Sequence, residues 1–133
     1  MPETEAWSAE KLIATESVSL AADGERIMVL GNSVDQYREI FLQAIEGLQE
    51  FCASMGIEVR IRRSHGDEGI EFPQQGGRVS FHSTRGKGQS ARGWSADRVY
   101  IPFGQSEEVV AAVLPCLATV RRGMLVQYGV NAR

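Results

Sequence analysis

The sequence predicts an α/β fold in which helices cover a parallel sheet, because three apolar strands alternate with two helices along the chain. The strands are Arg26–Gly31, residues 98–103 and residues 123–128, and the helices span residues 34–55 and 106–119. Each strand is a short apolar run bounded by turn-forming residues, which is typical of strands buried on both faces of a sheet. The 133 residues are enough for one domain with a substantial core.

The first 25 residues form an acidic segment, with six carboxylates and a single basic side chain, Lys11. Ser8 stands where a helix N-cap is expected and predicts a short helix after it. Residues 17–21 alternate weakly between apolar and polar side chains and predict a short strand. Asp23 and Gly24 are typical of the turn that would end this strand.

The long helix over residues 34–55 is predicted by apolar side chains that recur at steps of three and four residues. Asn32 or Ser33 is expected to cap its start, and Gly56 is a natural stop at its end. The preceding strand, the short turn and this helix together open a βαβ unit.

An antiparallel β insertion is predicted over residues 57–84, where three short extended segments are separated by turn-rich sequence. The segments are residues 57–62, Gly69–Phe72 and residues 78–84. The next core strand covers residues 98–103, and Ser106 is expected to cap the helix that follows. Pro115 lies within that helix and predicts a kink or an early end.

The composition is that of a soluble globular protein, with 43% hydrophobic and 23% charged residues. No apolar run approaches the roughly 20 residues of a membrane helix, and no signal pattern opens the chain, so we expect a cytoplasmic protein. Cys52 and Cys116 lack metal-ligand spacing and are expected to be buried free thiols. His65 and His82 are expected to be surface or hydrogen-bonded residues rather than ligands.

The order of these segments resembles the central part of the ATPase domain of phage terminase large subunits, the motors that package DNA into capsids. The matching stretches are RIMVLGNS, EFPQQGGRVSFHSTRGKG, ARGWSADRVYIPFG, AAVLPCLA and MLVQYGVN. The specific part is the succession of ARGWSAD, strand, helix and Leu-Pro step, and the resemblance extends over residues 26–131. It implies a partial P-loop-NTPase-like sheet of order 5-1-4-3-2, of which this chain supplies strands 2, 3 and 4.

The sequence departs from that family at three catalytic motifs. The Walker A loop should precede Arg26, but no glycine occurs before Gly24. The Walker B strand should end in Asp-Glu for Mg²⁺ and water, but Pro102, Phe103 and Gly104 stand there. The coupling motif has Val130 where the family has Ser or Thr. We therefore expect a degenerate, truncated relative that is not an enzyme and takes no cofactor or metal.

The candidate binding residues are Arg85, Lys87 and Arg92 in a glycine-rich basic loop, and Trp94 directly after it. The cations and free backbone N–H groups of the loop could grip phosphates. An exposed Trp94 could stack on a base or anchor a protein partner. The alternative is a solvated loop with Trp94 packed on the end of the sheet. Asp97 is expected to cap the turn or to pair with Arg92 or Arg98.

The resemblance and the departures together lead to three hypotheses. The leading one is a non-catalytic, phage-derived protein in the bacterial cytoplasm that binds a protein partner, either a packaging-motor component or a host factor. The second is nucleic-acid binding through residues 85–92, and the third is one piece of a split packaging ATPase. Because the resemblance leaves the strand at 123–128 without its usual neighbour, residues 17–21 could fold onto it, or two chains could form a homodimer there. We favour the homodimer.

Overall fold

The fold was derived from a computed structural model that describes residues 7–86, 91, 93–117 and 123–129. Among these residues the elements, in chain order, are α1 (Ala9–Ala22), β1 (Arg26–Gly31), α2 (Val34–Ile45), α3 (Leu48–Met55), β2 (Arg60–Arg62), β3 (Gly69–Phe72), β4 (Gly77–Ser83), β5 (Arg98–Pro102), α4 (Glu107–Val113) and β6 (Met124–Tyr128). A 3₁₀ turn, Leu114–Leu117, follows α4.

The strands form one six-stranded sheet of order β2-β3-β4-β1-β5-β6. The neighbours β4, β1, β5 and β6 are parallel, whereas β2, β3 and β4 pair antiparallel. The predicted fold class, a parallel sheet with helices and an antiparallel addition, is therefore confirmed. The prediction that the strand at 123–128 lies at the edge is also confirmed, since β6 pairs with β5 alone among the described strands.

The core lies on both faces of the sheet because successive side chains of a strand point to opposite faces. On one face, Val29 of β1 and Phe81 of β4 pack with the side chains of α1 and α2. On the other face, Met28 and Leu30 of β1 pack with α4 and its 3₁₀ turn. Phe41 of α2 is fully buried and meets the Phe81 ring edge-on at a centroid distance of 5.3 Å.

The prediction of one long helix over residues 34–55 is wrong, because two helices occupy this stretch. Helix α2 ends at Ile45, and Glu46 adopts an extended conformation. Gly47 then has a φ of 70°, in the left-handed region that glycine enters without steric cost. Ser33 caps α2 and Gly56 ends α3, so both predicted ends are correct.

The strand predicted over residues 17–21 is also wrong, since these residues form the C-terminal half of α1. Ser17 is fully buried, and its hydroxyl donates to the carbonyl oxygen of Ala14 at 3.2 Å. The buried side of α1 thus consists largely of small residues, which hides the helical period. The predicted cap is present, because Ser8 Oγ accepts a hydrogen bond from the Lys11 N–H at 3.1 Å. Residues 17–21 therefore do not cover the β6 edge.

The insertion predicted over residues 57–84 is antiparallel as expected, but its last strand has a larger role. Strand β4 pairs antiparallel with β3 on one side and parallel with β1 on the other. It therefore belongs to the central parallel sheet rather than to a separate hairpin. The pairing of β4 with β1 joins segments about 50 residues apart, which local sequence patterns do not report.

Two further predictions are confirmed. The α-helical part of the predicted 106–119 helix ends at Val113, and the stretch around Pro115 continues as a 3₁₀ turn. Cys52 and Cys116 are buried free thiols, and burial raises the pKa of both. None of the helices in the described ranges is long and apolar enough to cross a membrane.

Asp97 pairs with Arg26, so the predicted partners Arg92 and Arg98 are corrected. The carboxylate accepts the Arg26 backbone N–H at 2.7 Å and the guanidinium Nη2 at 3.2 Å. The Asp97 N–H donates in return to the Arg26 carbonyl oxygen at 2.8 Å. Burial alone would raise the pKa of the Asp97 carboxyl, but the hydrogen bonds and charge of Arg26 outweigh it and hold the pKa below its usual range.

An Asp97→Asn variant is expected to lose about 1 kcal/mol of stability at neutral pH, a value reduced for solvent screening because both side chains are 32% exposed. Since the folded pKa is depressed, this stability is present above the unfolded pKa and is lost as the pH falls through the folded value. Urea unfolding between about pH 7 and pH 2 should show wild type and variant converging in acid. Asp67→Asn, which alters a pair with a 66% exposed carboxylate, should change stability by less than about 0.5 kcal/mol.

Candidate functional site

The carboxyl ends of the parallel strands β4, β1, β5 and β6 meet at one edge of the sheet, where open α/β sheets bind ligands. Polar side chains from three connections bond to each other there. The Asn32 amide oxygen accepts from Gln105 Nε2 at 2.7 Å and from Thr84 Oγ1 at 3.5 Å. The Asn32 N–H donates to Gln36 Oε1 at 2.7 Å. This network ties the tips of β1, β4 and β5 together.

The tip of β5 carries no acidic side chain. Pro102 is buried, Phe103 is half-buried, and Gly104 turns the chain away with a φ of 83°. The Phe103 N–H donates to the Tyr128 carbonyl oxygen at 3.0 Å, so this backbone is occupied in pairing with β6. A proline ring and a phenyl ring offer neither an oxygen ligand for Mg²⁺ nor a general base. Among the described residues no three His, Cys, Asp or Glu side chains group as metal ligands.

The nearest acidic residues along the chain, Glu107 and Glu108, lie in the first turn of α4. Ser106 caps this helix by accepting the Val109 N–H at 3.3 Å. Carboxylates in a first helical turn interact favourably with the helix dipole, which accounts for their position without a catalytic role.

The residues predicted for binding are only partly described. Arg85 is exposed beyond the end of β4, and its backbone N–H donates to Ser83 Oγ at 3.0 Å. Lys87 and Arg92 lie outside the described residues. Trp94 is half-buried and packs against the core cluster on the α4 face of the sheet. The structure thus shows Arg85 accessible to a ligand and Trp94 partly committed to packing.

Trp94 is surrounded by two β4 side chains that the sequence analysis did not connect with it. The His82 ring meets the indole edge-on at a centroid distance of 5.0 Å, and the Arg78 guanidinium carbon lies 5.4 Å from the indole centroid. Arg78 also donates to the Ser95 carbonyl oxygen at 2.8 Å. Arg78, Ser80 and His82 alternate along β4, and this period of two could have indicated a shared face.

A polar pocket of about 270 Å³ opens beside Trp94 and His82, next to the turn between β2 and β3. Its buried carboxylate, Glu68, forms an ion pair with Arg38 and accepts the Gly66 N–H at 3.1 Å. Burial and the nearby Glu68 raise the pKa of the Tyr37 hydroxyl. The charged groups of this pocket are therefore largely engaged with each other.

The outer edge of β6 presents backbone groups that no described strand pairs with. The Met124 N–H donates to the Asp97 carbonyl oxygen, and the Tyr128 carbonyl accepts from Phe103, so both residues direct their backbone groups towards β5. Because direction alternates along a strand, Leu125 and Gln127 direct their N–H and C=O groups outwards. The side chain of Met124 is 46% exposed, and Leu125 and Val126 are half-buried. The edge is therefore both apolar and open to pairing.

A parallel sheet of this strand order, with helices on both faces and an antiparallel addition, defines a P-loop-NTPase-like α/β fold. Among solved structures, the chain is similar to the large-terminase ATPase domain of Thermus phage P74-26, at a TM-score of 0.65 and 16% identity. It is also similar to the large terminase of a second, thermophilic bacteriophage in complex with ADP, at a TM-score of 0.50 and 13% identity. The chain has the fold of phage large-terminase ATPase domains, as the sequence analysis predicts.

The likeness is partial in length. It covers 89% of this chain and 54% of the P74-26 domain, and 86% of this chain and 30% of the ADP-bound terminase. This chain therefore spans about half the length of the P74-26 domain that it matches. No family model matches the sequence, and no curated protein matches it.

Proposed function

We propose that this protein is a non-catalytic, phage-derived protein that works by binding a protein partner along the open edge of β6. The observation that carries the proposal is the outward backbone of Leu125 and Gln127 on a strand with partly exposed apolar side chains. Unpaired edges of this kind are templates for another strand, and proteins normally block or cover them. Addition of a partner strand would satisfy the backbone groups and cover the apolar side chains.

The absence of catalysis is supported by the tip of β5, where Pro102 and Phe103 stand in place of acidic residues. Phosphoryl transfer to water needs a metal held by carboxylates and a residue that orients the water. The purified chain is therefore expected to release no phosphate from ATP with Mg²⁺ above the rate of buffer alone. Turnover that depends on Mg²⁺ and survives further purification would contradict this part of the proposal.

The partner follows from the fold. In the terminase-like strand order, β6 would have a neighbour that carries the Walker A loop, and none of the described strands takes that place. A packaging-motor component, or a host factor with a comparable exposed strand, fits this position. A second copy of the chain is the simplest occupant, through antiparallel pairing of two β6 edges about a two-fold axis. All three alternatives place the protein in the bacterial cytoplasm.

A tagged pull-down from phage-infected and uninfected lysate, with nuclease present, tests the protein-partner proposal. Recovery of terminase or portal from infected lysate would support a role at the packaging motor. One host protein recovered from both lysates would support a host-directed role, and a concentration-dependent dimer of the purified chain would support self-pairing. Capture of nucleic acid alone, when nuclease is omitted, would contradict the proposal.

Nucleic-acid binding is the second candidate, and the observation that favours it is the exposed Arg85 at the carboxyl edge of the sheet. If residues 85–92 hold phosphates, affinity should fall steeply with salt and on changing Arg85, Lys87 and Arg92 to Ala. The third candidate, a split packaging ATPase, requires that a second chain supply the Walker A loop. It predicts that ATP turnover appears on mixing the two chains.

A further inference from the structure

A groove of about 430 Å³ runs between α1 and the α2–α3 pair, on one face of the sheet. The groove exists because the helix breaks at Glu46 and Gly47 and continues as α3, which begins at Leu48. Its volume lies within the range of sites that bind small molecules or peptide side chains.

The walls of this groove are apolar and partly exposed. Val18 of α1 faces Leu48 and Phe51 of α3 across it, and Ile57 and Phe72 contribute to its lining. Phe51 is 59% exposed although it borders the buried Leu48 and Cys52. An aromatic side chain exposed to this extent beside an open apolar groove is typical of a binding surface rather than of a completed core.

The rim of the groove is acidic. Asp23 and Glu46 line it directly, no basic residue does so, and neither carboxylate forms an ion pair with a described residue. The surrounding chain strengthens this field, because residues 9–58 hold nine acidic side chains and three basic ones. Two of the three basic side chains, Arg26 and Arg38, are engaged by Asp97 and Glu68.

We propose that this groove, which includes Phe51, Asp23 and Glu46, binds a basic amphipathic peptide segment of a partner protein. The apolar face of the segment would contact Val18, Leu48 and Phe51, and its Lys or Arg side chains would pair with the carboxylates on the rim. An apolar floor with a rim of one charge selects a ligand with both an apolar face and the opposite charge.

This surface is separate from the β6 edge. Phe72 of β3 lines the groove, and β3 and β6 are separated by β4, β1 and β5 in the sheet. Four strand spacings correspond to about 19 Å. A strand added to β6 would therefore leave the groove open, and a segment bound in the groove would leave β6 unpaired.

Fluorescence anisotropy with two labelled peptides of about 18 residues tests this inference, since five helical turns are enough to present a continuous apolar face. One peptide arranges Leu and Lys as an amphipathic helix, and the other replaces each Lys with Glu. The full chain is expected to bind the Leu/Lys peptide saturably, with a dissociation constant on the order of micromolar to tens of micromolar, and to bind the Leu/Glu peptide at least about tenfold more weakly. Equal affinity for both peptides, or no saturation with the basic one, would overturn the proposal.

Variants separate the groove from general charge attraction. Phe51→Ser, at an exposed site, is expected to weaken binding about tenfold, and Asp23→Asn with Glu46→Gln about fivefold. The matched controls are Leu114→Ser, at a 46% exposed site beside α4, and Glu107→Gln with Glu108→Gln. Both controls should stay within about twofold of wild type, and equal weakening by the control pair would overturn the proposal.

Two further measurements complete this test. Sedimentation of wild type and Phe51→Ser would reveal a second copy as the occupant, if only the wild type dimerises, and that result would also overturn the proposal. Gln127→Pro in β6 should leave peptide affinity unchanged. The groove and the proposed edge function can therefore succeed or fail independently.

Discussion

A Gln127→Pro substitution is expected to abolish capture of the protein partner while leaving the chain folded. The Gln127 N–H points away from β5, so proline removes a donor at the open edge and no hydrogen bond within the sheet. Loss of one ladder bond together with a clash against the incoming strand should lower affinity at least about tenfold. The measurement is partner recovery in the pull-down, with circular dichroism to verify the fold.

Gln127→Ala is the matched control, because it removes the same side chain and keeps the backbone N–H. If the partner adds a strand to β6, Gln127→Ala should stay within about twofold of wild type. If both variants lose the partner equally, the side chain rather than the backbone makes the contact, and pairing along the edge is contradicted. If Gln127→Pro retains full capture, the partner binds elsewhere.

Gly77→Ala is expected to destabilise the fold by about 3 kcal/mol or more, since there is no room for a side chain at this position. A Cβ on Gly77 would lie 1.8 Å from the carbonyl oxygen of Ala21, so the C-terminal end of α1 rests directly on the start of β4. Backbone of a helix and of a central strand must both shift to relieve that overlap. Urea unfolding followed by circular dichroism measures the loss.

The neighbouring Gly76 provides the control. A Cβ there would meet no atom within 4 Å, but Gly76 has a φ of 82°, so Gly76→Ala carries only the backbone strain of about 1 kcal/mol. Similar losses for the two variants would contradict the close packing of α1 on β4. A loss specific to Gly77 would show that α1 is an integral part of the sheet's cover.

The core strands were predictable from sequence because each is a continuous apolar run, and β1, β5 and β6 lie where those runs predict them. The break at Gly47 was not predictable, since the apolar period continues across it and a single glycine is tolerated inside helices. The α1 helix was missed over residues 17–21 for a different reason. Its buried positions include Ala14, Ser17 and Ala21, while Leu12 is 52% exposed, so the residue types do not report the buried face.

The candidate sites were predictable only where the sequence carries local chemistry. The missing carboxylates at Pro102 and Phe103 and the basic residues from Arg85 onwards are visible in the sequence itself. The contacts of Trp94 with Arg78 and His82, and of Asp97 with Arg26, depend on pairing between distant strands. The groove beside Phe51 depends on a helix break that the apolar pattern conceals.

The most direct test of the central claim is a photoactivatable cross-linking residue at Gln127, with the same residue at Glu107 as the control, in phage-infected cells. If the β6 edge is the binding surface, illumination should give a discrete adduct from position 127 and none from position 107. An adduct twice the chain's mass would identify a second copy as the partner. If position 127 gives no adduct while the chain still captures a protein from the same cells, the β6 edge is not the binding surface and the proposed function is contradicted.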